Sequence, residues 1–509
     1  MCSSRASIYT YYSLSVDLVY GFLQLSPNVD LQINTMGTKQ EANGGLPPPH
    51  ELENLMPEDE KNKQKIVSKY NMTKDAESAG DYDPFTERNL PNPTSNMDTL
   101  THLLKASLGT GILAMPKAFK CAGLISGIFF TILVAVVCTH CAYVLIKCSH
   151  VLYKKTRRNA MSFPEVGQAA LENGPQSLRG WANTFRIFIL VSLFLTYFGT
   201  CSVYTVIIAK NILQVLAHHM HQDQEVDIRL IILALLLPLI FMAWVRNLKY
   251  LAPVSMIANV FMGIGLGITF YYLVGTGDLS FKKVKPVTPP AMWPEFFSLT
   301  IFAMEAIGVV MPLENAMKTP RALLGFCGVL NKGMSGVTII YILLGFLGYL
   351  RYGDLVDDSI TLNLDSTEIP AQIVKIAIAI AVYCTFGLQF FVCVEIMWNC
   401  IKDKFTKRPD LADYVMRTIM VTACVLLAVA VPTIGPFMGV IGAFCFSILG
   451  LIAPAFIEVI TYWNIGFGPG YYLIWKNILV LIFGLFALIF GTKDAVISII
   501  AVYSTPSTP

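Results

Sequence analysis

From about residue 98 onward the chain is a succession of long apolar runs joined by short polar connections, and before that point it is polar. About eleven runs reach roughly 18 residues, enough to cross about 30 Å of hydrocarbon as a helix. They lie near 98–119, 122–147, 184–213, 228–245, 249–275, 295–315, 328–350, 371–400, 412–431, 434–459 and 471–491. The pattern predicts an all-α multi-pass membrane protein in three parts. Residues 1–97, with Pro47-Pro48-Pro49, mixed charge and turn formers at Asp81–Pro84, have the composition of a disordered cytoplasmic tail. Residues 98–500 form one transmembrane domain, and 501–509 a short extracytoplasmic tail.

Composition sharpens this reading. Hydrophobic residues make up 54% of the chain and charged residues 14%, against about a quarter charged in soluble domains. The net charge is only +3, and no Lys/Arg block of the kind that binds nucleic acid is present, so the expected surroundings are a lipid bilayer. Most of the 12 cysteines fall inside apolar runs, where a thiol behaves as a small apolar side chain. Cys138 and Cys141 have a metal-like spacing, but no second pair completes it. No HExxH, GxSxG or acid pair at a suitable spacing is present, so neither an enzyme nor a cofactor or metal site is expected.

The first run, NMDTLTHLLKASLGTGILAMP (96–116), carries the most chemistry. Ser107, Gly109, Thr110 and Gly111 lie at its centre, and glycine costs about 1 kcal/mol in a helix relative to alanine. The run therefore predicts a helix that unwinds at mid-depth, and freed backbone groups there need a cavity or a ligand. N–H groups opening the second half-helix suit a carboxylate, and carbonyls closing the first half suit an ammonium. A free amino acid carries both. The alternative is a close helix-packing contact through small residues.

A second copy follows at 302–315, with Phe302, Glu305, Ala306 and Gly308 ahead of Met311-Pro312. Gly111 to Pro116 matches Gly308 to Pro312, each ending in Met-Pro, and the intervening spans place the copies in opposite orientations. Inverted repeats with the site between two broken helices are typical of secondary transporters. Glu305 either contacts an ammonium or carries a proton, or it is a structural partner of Lys105. His102, about 10 Å before Gly109 along a helix axis, either loads and unloads a proton or holds a neighbouring carbonyl. Glu314 and Asn315 are read as cap or gate residues. Tyr197, Tyr204, Asn259, Tyr383, Gln389 and Glu395 are further polar groups within spans; Glu395 reads equally as structural or as proton-relaying.

Loop charge sets the orientation. With the N-terminus cytoplasmic, about 18 basic residues face the cytoplasm and about 10 the other side, which also holds the acidic loop of Asp354, Asp357, Asp358, Asp365 and Glu368.

The stretches THLLKASLGTGILAMPKAFKCAG (101–123), FAMEAIGVVMPLENAMKTPR (302–321) and GYLRYGDLVDDSITLNL (348–364) resemble the proton-coupled amino acid transporters, a branch of the amino acid/auxin permease family. The resemblance covers about residues 98–500. It implies an inverted-repeat five-plus-five fold of the amino acid–polyamine–organocation type with one further helix. It also implies symport of protons with small neutral amino acids such as glycine, alanine and proline. The family's proton-coupling histidine matches His102, and its broken-helix residues match Gly109–Gly111 and Glu305–Gly308. Members act at the plasma membrane and on late endosomes or lysosomes, and several influence growth signalling through TOR-pathway proteins. An amino-acid sensor with slow transport is the alternative function. Two departures stand out. Ala106-Ser107 replaces a common Gly-Asn, and neither 214–229 nor 365–370 contains a cysteine for the external disulfide of vertebrate members.

Overall fold

The computed structural model describes residues 83–88, 90, 93–219, 226–246, 248–275, 279, 281–304, 306–405 and 407–504. The chain divides into a unit at Leu25–Arg88 and a unit made of Met1–Gln24 and Asn89–Pro509. In the smaller unit the described residues form a turn held by Asp83, whose Oδ1 accepts from the Phe85 N–H at 3.2 Å. Most of the predicted tail lies outside the described residues.

The described residues of the larger unit are mostly helical. Its first membrane segment comprises Asn96–Ser107 (α1), a 3₁₀ turn at Thr110–Ala114, and Met115–Ala122 (α2). Leu124–Thr156 (α3), Phe163–Glu172 (α4), Ala182–His219 (α5), Ile228–Ala234 (α6), Leu236–Ala243 (α7) and Leu248–Gly275 (α8) follow. The second broken segment comprises Trp293–Met304 (α9) and Ile307–Ala316 (α10). Then come Val329–Tyr352 (α11), Ile369–Ile401 (α12), Pro409–Ala430 (α13) and Ile434–Val440 (α14). A widened π-helical stretch, Ile441–Ile452, leads into Ala453–Tyr462 (α15). The last segment is Tyr472–Phe486 (α16), a π turn at Ala487–Gly491, and Thr492–Ser504 (α17).

Local chemistry sets several of these boundaries. Ser95 and Asp98 form a reciprocal capping box that starts α1, and Ser162 with Glu165 does the same for α4. Pro116 sits in the first turn of α2, where its missing N–H costs nothing. The run predicted at 228–245 is two short helices that meet at Leu235, three residues before Pro238. The amphipathic α4 lies within what the sequence reads as a polar loop, because it is too short to register as a span.

Nine helical stretches among the described residues are long and apolar enough to cross a bilayer. Ile228–Ala243 is shorter, and Asn96–Ala122 is divided by its break. Burial ranks them. In the most apolar stretch of Pro290–Ala316, 88% of residues are buried, against 28% for Met256–Gly275 and for Pro469–Ala501. The second broken segment is therefore the centre of the bundle and the other two are its periphery. Phe129, Leu133, Val136, Ile339 and Leu343 are exposed on outer faces, as a lipid-facing surface requires.

The two broken segments run antiparallel. At one end Thr94 pairs with the close of α10, its N–H donating to the Ala316 carbonyl at 2.8 Å and its carbonyl accepting from the Lys318 N–H at 3.0 Å. At the other end the Thr288 N–H donates to the Ala122 carbonyl at 3.0 Å. The start of each segment thus lies beside the end of the other. This is the opposed pair expected of an inverted-repeat transporter fold.

Candidate functional site: a cavity between two broken helices

Both segments give up helical geometry at mid-length. Leu108 closes α1 at φ −79°, ψ 56°, and Gly109 is extended at φ −86°, ψ −162°. Ala306 opens α10 at φ −120°, ψ 0°. No side chain caps the turn that begins after Gly109 or the helix that begins after Ala306. The positive ends of two half-helices are therefore left to whatever occupies the space beside them.

That space is a cavity of about 80 Å³. Ser107, Gly109, Thr110, Gly111, Phe302, Ala306 and Gly308, all predicted to bind substrate, line it. Glu305 lies outside the described residues. His102 does not line the cavity; it is half-buried on α1, with Leu103, Leu104, Lys105 and Ala106 between it and Ser107. Among the described residues, no group of three or more His, Cys, Asp or Glu side chains is placed to hold a metal ion.

The glycines have separate roles. A Cβ on Gly109 would meet nothing nearer than the Ala106 carbonyl at 4.0 Å, so it borders open space. A Cβ on Gly111 would stand 2.5 Å from the Ala303 Cα, so this glycine lets the first segment touch α9 backbone to backbone. The close-packing reading thus holds at Gly111 and not at Gly109. A Cβ on Gly308 would overlap the Tyr197 hydroxyl.

Tyr341, on α11, ties the two breaks together. It is fully buried, and its hydroxyl reaches both the Ser107 carbonyl and the Ala303 carbonyl, the latter at 2.9 Å. These carbonyls lie near the ends of the two first half-helices. No spacing in the sequence singles out Tyr341; only the distance of α11 from both breaks does.

The opposite wall comes from α5, α12 and the π-helical stretch. Thr196, Tyr197, Thr200 and Tyr204 of α5, Gln389 of α12, and Phe446 and Leu449 all line the cavity. Of the scattered polar groups noted in the spans, Tyr197, Tyr204 and Gln389 meet here. Tyr383 does not: its hydroxyl donates to the Pro238 carbonyl at 2.8 Å. The π winding was foreshadowed only by the Gly and Pro residues that open this span. It brings Gly442 so close to Ser298 of α9 that a Cβ would overlap the Ser298 carbonyl.

A cluster of ion pairs lies on one side of the cavity. Lys117 lies 3.6 Å from Asp358 and 3.8 Å from Glu295, and Lys210 lies 3.9 Å from Asp358. Lys117, Lys210 and Glu295 each sit six or seven residues from a cavity residue on their own segment (Thr110, Tyr204, Phe302), about 10 Å at 1.5 Å per residue. Asp358 belongs to the acidic loop. In the same loop the backbone N–H of Thr367 donates to Asp365 at 2.9 Å and holds its carboxyl below the usual carboxylate range.

Glu314 and Asn315 are fixed elsewhere. Glu314 is fully buried, accepts from the Tyr153 hydroxyl at 2.9 Å, and lies 3.0 Å from His150 Nε2. Asn315 donates to the Met161 carbonyl at 3.0 Å. These contacts anchor the end of α10 to α3 and to the residues before α4.

A family model described as "Transmembrane amino acid transporter protein" matches residues 92–497. The chain belongs to this family. The match spans both broken segments and every wall of the cavity. A "Proton-coupled amino acid transporter-like protein pathetic" of Drosophila melanogaster is 59% identical over 456 residues, 90% of this chain and 96% of that protein. A "Probable amino acid transporter skat-1" of Caenorhabditis elegans is 24% identical over 448 residues, 85% of this chain and 96% of that protein. Among solved structures, Mhp1 in its inward facing conformation aligns over 82% of this chain and 92% of its own, at 14% identity and a TM-score of 0.44. Closed Mhp1, a nucleobase-cation-symport-1 family transporter with bromovinylhydantoin bound, aligns over 82% and 94%, at 12% identity and a TM-score of 0.47. In this amino acid transporter the uncapped half-helices and the small cavity form the candidate substrate site.

Proposed function

We propose that this transporter carries small neutral amino acids of the alanine, glycine and proline class into the cytoplasm together with protons. The observation that carries the reading is the cavity itself, which residues of both breaks line and beside which two half-helix starts are left without a side-chain cap. A zwitterion needs N–H groups and carbonyls within about one carbon of each other. At about 80 Å³ the cavity is far smaller than the roughly 300–1,000 Å³ of sites for drug-sized ligands, which favours small side chains. Ser107, Gly109, Thr110, Gly111, Phe302, Ala306 and Gly308 form the binding site in this reading, and Glu305 contributes from the second break.

The name of the Drosophila relative supports coupling to protons. His102 and Glu305 are the proposed coupling groups near the site. A gradient of two pH units supplies about 2.7 kcal/mol per proton, and 100 mV adds about 2.3 kcal/mol per charge. Either supports accumulation of tens-fold. The plasma membrane and late endosomes or lysosomes are the proposed locations, with TOR-pathway proteins as candidate signalling partners.

The test is uptake of labelled alanine into cells expressing the protein, at external pH of about 5.5 and about 7.5, with and without sodium; the two-unit step is the driving force considered above. Uptake stimulated by acid and indifferent to sodium supports the reading. Uptake that follows sodium and ignores pH overturns it.

A further inference from the structure

Glu395 of α12 is a carboxylate within a span that no contact among the described residues accounts for. Both its carboxylate oxygens are sealed from the surface and have no hydrogen-bond partner among the described residues. It lies six residues beyond Gln389, a cavity residue, and six before Ile401, where α12 ends. At 1.5 Å per residue it is about 9 Å from each. It therefore stands midway between the substrate cavity and the Lys/Arg-rich membrane face.

The elements around α12 hold charged groups, and the ion pairs they form are with other partners. On α13, Arg417 is held by Asp413 at 3.0 Å and by the Ala243 carbonyl at 2.8 Å, with its guanidinium 5.9 Å from the ring of Phe391. Arg246 pairs with the same Asp413 at 2.9 Å and with Asp410 at 2.7 Å. On α5, Cys201 is buried deep in the bundle, and Arg186 lies near the helix start with its Nε unbonded. α8 carries Lys249 at its start and Asn259 further on, and α7 has no charged residue. On α12 itself, Asn399 is one turn further on, followed by Cys400, and Lys402, Asp403 and Lys404 form the exposed turn after it. Neither carboxylate oxygen of Glu395 is hydrogen-bonded by any of the described side chains among these.

An ionised carboxylate with both oxygens sealed in a membrane span and no partner is costly, whereas the protonated acid is not. The cheap state of this residue is the one that carries a proton. We propose that Glu395 is a proton-binding site: it takes a proton while sealed and releases it toward the Lys/Arg-rich face when that side opens. This rests on the proton-symport reading and assigns part of its proton path to α12, in addition to the groups near the breaks.

The experiment uses the full-length protein in proteoliposomes, comparing wild type, Glu395→Gln and Glu395→Asp. With two pH units, one coupled proton supports alanine accumulation of up to about 100-fold. Glu395→Gln, a permanent mimic of the neutral acid, is expected to lose that accumulation while still exchanging labelled for unlabelled alanine. Glu395→Asp is expected to keep both. A purely structural role would not separate exchange from accumulation. Glu395→Gln protein that accumulates alanine as wild type does overturns the proposal. A second measurement needs no variant: a lipid-soluble carbodiimide, which attacks protonated buried carboxyls, should modify wild-type Glu395 under acid conditions, as read by peptide mass spectrometry. Failure to modify it also overturns the proposal. If wild type itself shows no acid-driven accumulation, the symport reading fails, while the carbodiimide measurement still reads Glu395 separately.

Discussion

Tyr341 and the two glycines of the first break show how single groups set the site. Tyr341→Phe removes the hydroxyl shared by the Ser107 and Ala303 carbonyls and leaves them without that donor. A loss of about 1–3 kcal/mol is expected, read as a lower melting temperature in detergent, with fold and family motifs intact. Gly109→Ala puts a methyl group into open space at a backbone geometry that alanine adopts freely. The protein should fold normally, but the cavity shrinks, so uptake of proline should fall more than uptake of glycine. Equal losses for both would show that Gly109 does not border the substrate. Gly111→Val acts differently, because its Cβ meets the Ala303 backbone; it should separate the two segments and abolish transport of every substrate. His102→Ala should abolish acid stimulation of uptake if His102 couples protons; unchanged stimulation removes it from the mechanism. The polar residues of the first break were legible in the sequence because glycine in a span has few explanations. Tyr341 was not, since a tyrosine in a span has many and its partners lie on two other elements.

Among the elements, the opposed breaks carry the candidate site, and the ion pairs around Asp358 are expected to hold one approach to it closed. Asp358 serves two lysines from different segments, so Asp358→Asn weakens both contacts at once. Partly exposed pairs are worth at most about 1 kcal/mol each, and a change of that size shifts an open–closed equilibrium about fivefold. Cys121, buried one turn beyond Lys117, reports on this: its modification by a membrane-impermeant thiol reagent should quicken about fivefold in Asp358→Asn. An unchanged rate would mean that the ion pairs are not what holds this side shut. Most spans were legible from apolar length alone, and the two broken helices from Gly and Met-Pro at matching positions. The bend at Leu235, the short α4 and the π winding of Ile441–Ile452 were not. The bend falls beside Pro238 in an otherwise apolar run and α4 is too short to register as a span, whereas the π stretch lies where Gly442 meets Ser298 of α9, a contact absent from local sequence.

At the scale of the molecule, antiparallel halves place two half-helix starts at one point in the middle of the bundle. The pairing of Thr94 with the end of α10, and of Thr288 with the end of α2, holds the segments in that relation from both ends. The cavity then has one ion-paired side and one basic side, and Glu395 lies between the cavity and the latter. The proposed symport fits such an arrangement, since alternating access needs a central site that opens to either face in turn.

The most direct test is an experimental structure of the protein with alanine bound. The account predicts density for alanine between the two breaks, its carboxylate within hydrogen-bond reach of the backbone N–H groups that begin the turn at Thr110–Ala114. Alanine bound elsewhere, or both segments wound as continuous helices past Gly109 and Ala306, would contradict it.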